Sequence, residues 1–162
     1  MKVSSGYTRL QLGLHWLTAV IIITVYFLSD GMGQALKARI ESGQTGFEGG
    51  TLHGMLGSIV FVLVLIRIIV RLRSGAPAVA EGTPPLMAIA AKWGHRLLYL
   101  LMIAAPMGGM VAWFGHLRDV GEIHEMVGNA LIWVALAHAL AAIYHHFVLK
   151  DGTLDRMRKP SA

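Results

Sequence analysis

Four long apolar stretches, each with histidine inside it or at its edge, limit what this chain can fold into. They run roughly Leu10–Ser29, Leu52–Val70, Leu97–Phe114 and Met126–Leu149. Crossing the ~30 Å hydrocarbon layer of a bilayer takes about 20 apolar residues in a helix, with a range of roughly 17–25. All four stretches fit that window. Backbone amides and carbonyls in lipid must be satisfied within their own segment, so helices are the economical solution. Composition agrees, since 55% of the 162 residues are hydrophobic, 14% are charged and the mean hydropathy is +0.59. The expected architecture is all-α, a four-helix transmembrane bundle forming a single domain over 1–162. Its helices are expected at approximately 8–29, 51–73, 93–114 and 124–149.

A net charge of +5 and a pI near 9.9 could suggest a nucleic-acid partner, but the distribution of charge argues for membrane topology. With the N-terminus in the cytoplasm, the inner side receives Lys2, Arg9, Arg67, Arg71, Arg73, Lys92, Arg96, Lys150, Arg156, Arg158 and Lys159. The outer side receives only Lys37, Arg39 and Arg118. Eleven against three is a positive-inside pattern that places both termini in the cytoplasm of a multi-pass inner-membrane protein. The first apolar run is longer than a secretory leader and contains His15, so it reads as a retained helix.

Between the spans, the stretch from Asp30 to Thr51 holds six glycines and mixed charges and reads as an outer loop. Ser74 to Ala91, with Gly-Ala-Pro and Thr-Pro-Pro, reads as a cytoplasmic linker with room for a short interfacial helix. Pro106, Gly108 and Gly109 predict a bend in the third span. The outer turn Gly115–Ile123 is short, making the last two spans antiparallel neighbours.

Histidine inside a membrane span is costly, and each such residue is a functional candidate. Cysteine is absent, which removes disulfides, thiolate metal sites and covalent c-type haem attachment. Any bound group must be held by histidine and shape. His124 and His138 are fourteen residues apart. At about 100° per residue they fall within ~40° of four full turns and rise about 21 Å, so both face one way at two depths. That spacing suits two stacked haems, each needing a second imidazole from another helix. His53 opens the second span level with His124, and His15 lies in the inner half of the first, near the level of His138. Gly13, Gly54, Gly57, Gly94 and Gly128 are small residues that let a flat macrocycle approach the backbone.

Other readings of the same residues stand beside this one. A lone histidine can simply bond to a neighbouring helix, and imidazole suits zinc and copper as well as iron. A zinc site, however, needs three or four ligands at one point, whereas these histidines split into two layers. His145 follows His138 by seven residues, so an inner pairing of His15 with His145 has the same spacing logic as His15 with His138. His95, His145 and Arg9 also lie at the cytoplasmic side, where they could build a polar pocket for a quinone head group or simply touch lipid headgroups. Arg67 and Arg71 follow the topology pattern by default, with haem-propionate pairing as an alternative.

Several short motifs, in order along nearly the whole chain, carry a resemblance. They are Tyr7-Thr8-Arg9-Leu10-Gln11 with Leu14-His15-Trp16, Leu52-His53-Gly54 with Arg67-x-x-x-Arg71-Leu72, and Gly94-His95-x-x-x-Tyr99-Leu100-Leu101. His124-Glu125, Ala137-His138, Tyr144-His145-His146-Phe147 and Lys150-Asp151-Gly152-Thr153-Leu154 complete the set. This combination resembles bacterial cytochrome b561. The resemblance implies two haem b groups, the inner held by His15 and His138 and the outer by His53 and His124, with His145 near a quinone. It also implies electron exchange with ubiquinone, and for one well-understood activity of the group, oxidation of superoxide at the outer side.

The outer face sets Lys37, Arg39 and Arg118 against Asp30, Glu41, Glu48, Asp119, Glu122 and Glu125, a balance of 3 − 6 = −3. Net charge there does not steer an anion, although a local basic funnel could. An acidic face instead suits a basic soluble redox protein. The expected activity is a di-haem electron conductor between the outer surface and ubiquinone, with superoxide oxidation as the preferred reaction and a carrier relaying electrons to a soluble partner or dehydrogenase as the rival.

Overall fold

The computed structural model describes residues 3–4, 6–47, 49–79 and 83–160; Lys2 and Glu48, used in the charge argument, lie outside the described residues. Helix α1 spans Arg9–Phe27, and a capping box starts it. The Gln11 amide donates to Thr8 Oγ1 at 3.2 Å, and the Thr8 amide donates back to Gln11 Oε1 at 2.9 Å. Helix α2 covers Met32–Ser42, between Gly31 and Gly43, both with positive φ. Helix α3, Leu52–Ser74, begins under the Thr51 hydroxyl, which accepts the Gly54 amide at 3.1 Å, and ends at Gly75. Helix α4 is a single 31-residue helix, Pro85–Gly115, that runs through Pro106. Helix α5 covers Arg118–Tyr144 and passes into a π-helical turn over His145–Leu149.

Among the described residues, α1, α3, α4 and the α5 segment extended to Leu149 are the four long, apolar, membrane-crossing candidates, and little of each is buried within the protein itself. Side chains such as Phe27 at 76% and Trp133 at 70% exposure point outward. So large an apolar exterior is stable only against lipid. The chain is a multi-pass helical membrane protein.

Both chain ends gather at one end of the bundle, the terminal end. There β1 (Val3–Ser4) pairs in parallel with β2 (Ala76–Pro77). Gln11 donates to the Gly75 carbonyl at 2.9 Å, Trp16 to Met157 at 3.0 Å and Arg156 to Ala78 at 2.8 Å. The other end, the loop end, is covered by α2. Leu36 seats against Gly121, where a Cβ would come within 2.8 Å of Leu36 Cδ2. Arg39, 2% exposed, lies 4.7 Å from the Trp113 ring centre and donates to the carbonyls of Trp113 and Gly46.

Three expectations change here. The outer turn expected over Gly115–Ile123 shrinks to His116 and Leu117, because α5 already starts at Arg118. The Asp30–Thr51 stretch is not all loop, because Met32, Leu36 and Ile40 recur every four residues and form an apolar helix face. The glycines sit mainly at its borders. The linker after Ser74 is also shorter than expected. Pro85 is pre-set for a first helical position, so α4 starts there instead of at Trp93.

Packing within the bundle is uneven. α5 lies along α4, α1 along α3 and α3 along α4, whereas α5 barely touches α1 and α3. The core sits midway along the bundle, where Val60, Val64, Met102, Ala105 and Leu131 pack together.

Candidate functional site

The gaps beside α5 are where histidines face each other. At the loop end His53 of α3 and His124 of α5 have ring centres 5.9 Å apart, at an interplanar angle of 85°. The His53 Nδ1–H donates to the Val25 carbonyl of α1 at 3.0 Å, and the His124 Nδ1–H donates to the Ala105 carbonyl of α4 at 2.7 Å. A carbonyl can only accept, so both rings carry their proton on Nδ1 and keep the Nε2 lone pair for a ligand. A partner of this kind on the far nitrogen orients a metal-binding imidazole and raises its basicity.

Space is organised around this pair. A Cβ at Gly109 would lie 3.1 Å from His124 Cε1, so glycine there lets the ring sit close against α4, where it reaches Ala105. Gly57 and Gly128 stand one turn along from His53 and His124, and a Cβ at either would meet nothing within 4 Å.

At the terminal end, His15 of α1 and His138 of α5 have ring centres 6.4 Å apart at 57°. A ligating imidazole nitrogen sits about 2 Å from its metal, and the ring centre about 1 Å beyond, so two imidazoles on one metal place their centres roughly 6 Å apart. Both pairs match that separation. The residues present therefore fit a flat metal macrocycle gripped from two sides, one in each layer.

The terminal-end pair is less preset. Arg67 Nη2 donates to His15 Nδ1 at 3.1 Å, which puts the neutral ring's proton on Nε2. Ligation through Nε2 requires that proton to move to Nδ1 and the guanidinium to turn aside. His95 lies closer to His138, at 5.0 Å between centres, too near for the two to grip one metal from opposite sides. Its Nδ1–H donates to Ala91 of its own helix at 2.6 Å. Among the described residues, no cluster of three or more histidine, aspartate or glutamate side chains is arranged to hold a metal ion.

A family model described as prokaryotic cytochrome b561 matches residues 6–160. The chain belongs to the prokaryotic cytochrome b561 family. Like other members of a cytochrome b family, it is a haem b redox protein of the bacterial inner membrane. It is 38% identical to the cytochrome b562 of Cereibacter sphaeroides, over 99% of both chains. It is 31% identical to the probable superoxide oxidase CybB of Yersinia pestis, over 93% of this chain and 94% of that one. Cytochrome b561 homolog 2 of Escherichia coli is 27% identical over 93% of this chain and 90% of its own length.

The remaining candidates of this b561-family protein are placed as follows. Arg9 is exposed at the first turn of α1. His145 does not pair with His15; its Nδ1–H donates to Asp151 Oδ2 at 2.5 Å, and both side chains are largely buried. His116 at the α4–α5 turn, with φ 55°, ties its Nε2–H to the Gln44 carbonyl at 2.8 Å. A groove of about 250 Å³ between α3 and α4, lined by Ile68, Arg71, Leu72 and Tyr99, is smaller than the roughly 300 Å³ at which small-molecule pockets begin.

All three loop-end cations are engaged. Lys37 pairs with Glu41 at 3.8 Å, Arg118 pairs with Glu122 at 3.4 Å, and Arg39 is buried. No basic funnel is assembled from them.

Three parts of the site are not legible in the sequence as functional, and a fourth is legible only as a turn. The Val25 and Ala105 carbonyls have no side-chain signature at all. Gly109 reads as part of a bend. Asp151 does carry a signal: Asp-Gly-Thr is turn chemistry, and the Thr153 amide donates to Asp151 Oδ1 at 3.0 Å.

Proposed function

We propose that the protein holds two haem b groups, one between His53 and His124 and one between His15 and His138. It passes electrons between the periplasmic face and ubiquinone near the cytoplasmic face. The loop end is periplasmic in this reading, and the terminal end, with its basic residues, is cytoplasmic. The observation that carries it is the matched separation of the two imidazole pairs, at 5.9 Å and 6.4 Å, across the gaps that α5 leaves to α3 and α1. Haem b bound between paired imidazoles supplies one-electron redox chemistry, with its potential set by ligands and surroundings.

The chain's own residues do the rest. Val25 and Ala105 hold two rings in the ligating tautomer, Gly109 gives His124 its seat, and Gly57 and Gly128 leave room for a flat face. The apolar core of Val60, Val64, Met102, Ala105 and Leu131 lies between the layers and keeps water out of the middle of the bundle. Protons for the quinone must then enter from the cytoplasmic side.

The preferred overall reaction is superoxide oxidation. Two superoxide anions each lose one electron and leave as oxygen, while one quinone takes two electrons and two protons to become quinol. The similarity to a probable superoxide oxidase supports this donor. One observation favours a second reading, an electron carrier docking a basic soluble redox protein: the loop-end cations are all engaged, while Asp30, Asp119 and Glu125 are exposed.

Haem content and reduced-minus-oxidised spectra of single alanine variants test the ligand assignment. His53→Ala and His124→Ala are expected to remove one and the same haem, and His15→Ala and His138→Ala the other. Loss of a single common haem from all four variants sinks the two-layer arrangement. Rapid mixing with superoxide and oxidised quinone separates the donors. Haem reduction no faster than the spontaneous reaction leaves only the carrier.

A further inference from the structure

We propose that Asp151 is a positioning residue for proton delivery at the cytoplasmic end, holding the His145 ring so that Nε2 hands protons to a quinone oxygen. This rests on the quinone reading above and adds a residue to it.

The geometry is built by a local departure from α-helix. At His145 the hydrogen bonding of α5 gives way to a π turn, a feature frequent at functional sites. Lys150 then takes a left-handed conformation, φ 53°, uncommon for a residue with a side chain. The chain doubles back, and the Asp151 amide donates to the His145 carbonyl at 3.4 Å. That brings the carboxylate against the ring. One oxygen accepts from His145 Nδ1–H at 2.5 Å, and the other accepts from the Thr153 amide at 3.0 Å. The side chains of His145 and Asp151 are only 17% and 10% exposed.

Both carboxylate oxygens are thus committed, and one ring nitrogen is committed with them. Nε2 is the ring atom left to exchange a proton, and its orientation is set by Asp151. Burial pushes the Asp151 carboxyl up, but the hydrogen bonds from His145 and Thr153 outweigh it and hold the group down at about 2. The carboxylate therefore stays charged at physiological pH and accepts the Nδ1–H hydrogen bond without taking the proton. This is the division of labour of an aspartate behind a general-acid histidine. The tail that carries Asp151 is itself fastened, through Trp16 to Met157 and Arg156 to Ala78.

The step balances simply. The quinone receives two electrons, one from each superoxide oxidised at the outer side. For each proton it needs, the His145 Nε2–H bond breaks and a quinone O–H bond forms. Water on the cytoplasmic side then returns a proton to Nε2, while the Nδ1–H bond stays intact and continues to donate to Asp151.

The test uses the full-length haem-loaded protein in lipid nanodiscs, reduced beforehand and mixed with ubiquinone-1 or with ferricyanide. Ferricyanide takes an electron without a proton and so serves as the internal control. Asp151→Asn is expected to lower the ratio of quinone to ferricyanide rates roughly tenfold or more, within the range that proton transfer contributes to catalysis. Asp151→Glu restores part of it, and adding Asp151→Asn to His145→Gln slows the reaction no further. An unchanged ratio in Asp151→Asn, with a lowered one in His145→Gln, overturns the role of Asp151 and leaves the quinone reading standing. An unchanged ratio in both overturns the quinone site at His145 as well. Should Asp151→Asn fail to assemble haem, Asp151→Glu decides: the longer side chain displaces the ring, and a wild-type ratio with a wild-type solvent isotope effect overturns the proposal.

Discussion

Gly109 shows how a side chain's absence can be the functional feature. His124 needs its ring on the surface of α4 to reach the Ala105 carbonyl, and any Cβ at position 109 stands 3.1 Å from that ring. Gly109→Val forces the imidazole out of line, an overpacking cost of about 1–3 kcal/mol. Under the proposed ligand assignment, we expect it to lower occupancy of the haem assigned to His53 and His124 about tenfold or more while sparing the one assigned to His15 and His138, measured as haem per chain with the reduced spectrum. Equal loss of both haems would contradict this local account. The sequence marks His15, His53, His124 and His138 as candidates because imidazole in an apolar span is costly wherever it points. It does not mark the carbonyls that orient them, since every residue carries one and only packing decides which is reachable.

Helix α2 is the clearest case of a whole segment that composition misrepresents. Glycine content argues for loop, but glycine at Gly31 and Gly43 bounds a helix whose face of Met32, Leu36 and Ile40 lies over the loop end. Arg39 is its anchor, nearly fully buried against Trp113. Arg39→Ala removes the donor to the Trp113 and Gly46 carbonyls and the ring contact, a loss of about 1–3 kcal/mol. A lower midpoint for thermal loss of the haem spectrum is the expected outcome. An unchanged midpoint would show that α2 is not fastened there. The long spans are easier to read. Each carries an apolar run long enough to cross lipid, and Thr8, Thr51 and Pro85 supply local start signals. α4 and α5 begin well ahead of their expected starts: Leu86 and Ile89 belong to the helix that Pro85 opens and not to the linker, and α5 takes in residues from Arg118 that the sequence assigns to the turn.

Across the molecule, four spans put both termini on one side, and in the proposed orientation the arginine and lysine bias assigns that side to the cytoplasm. A reporter fusion after Pro160 should therefore be active as a cytoplasmic fluorescent protein and inactive as alkaline phosphatase, and a fusion in the α2 region should show the reverse. The opposite pattern would invert the bundle and with it the direction of proton entry. Hydropathy, charge bias and helical periodicity are properties of consecutive residues, so the chain alone determines an all-helical membrane bundle with histidines at two depths. Which imidazoles meet is a different kind of fact. His15 and His145 share the right spacing, yet α5 carries His138 toward His15 while the π turn and the reversal at Lys150 tie His145 to Asp151. Lys37, Arg39 and Arg118 could have formed a basic funnel, yet two pair along their own helices and one is buried. Such choices depend on distances between helices, which no local pattern encodes, because they arise only when apolar faces pack and set the angle and offset of each pair.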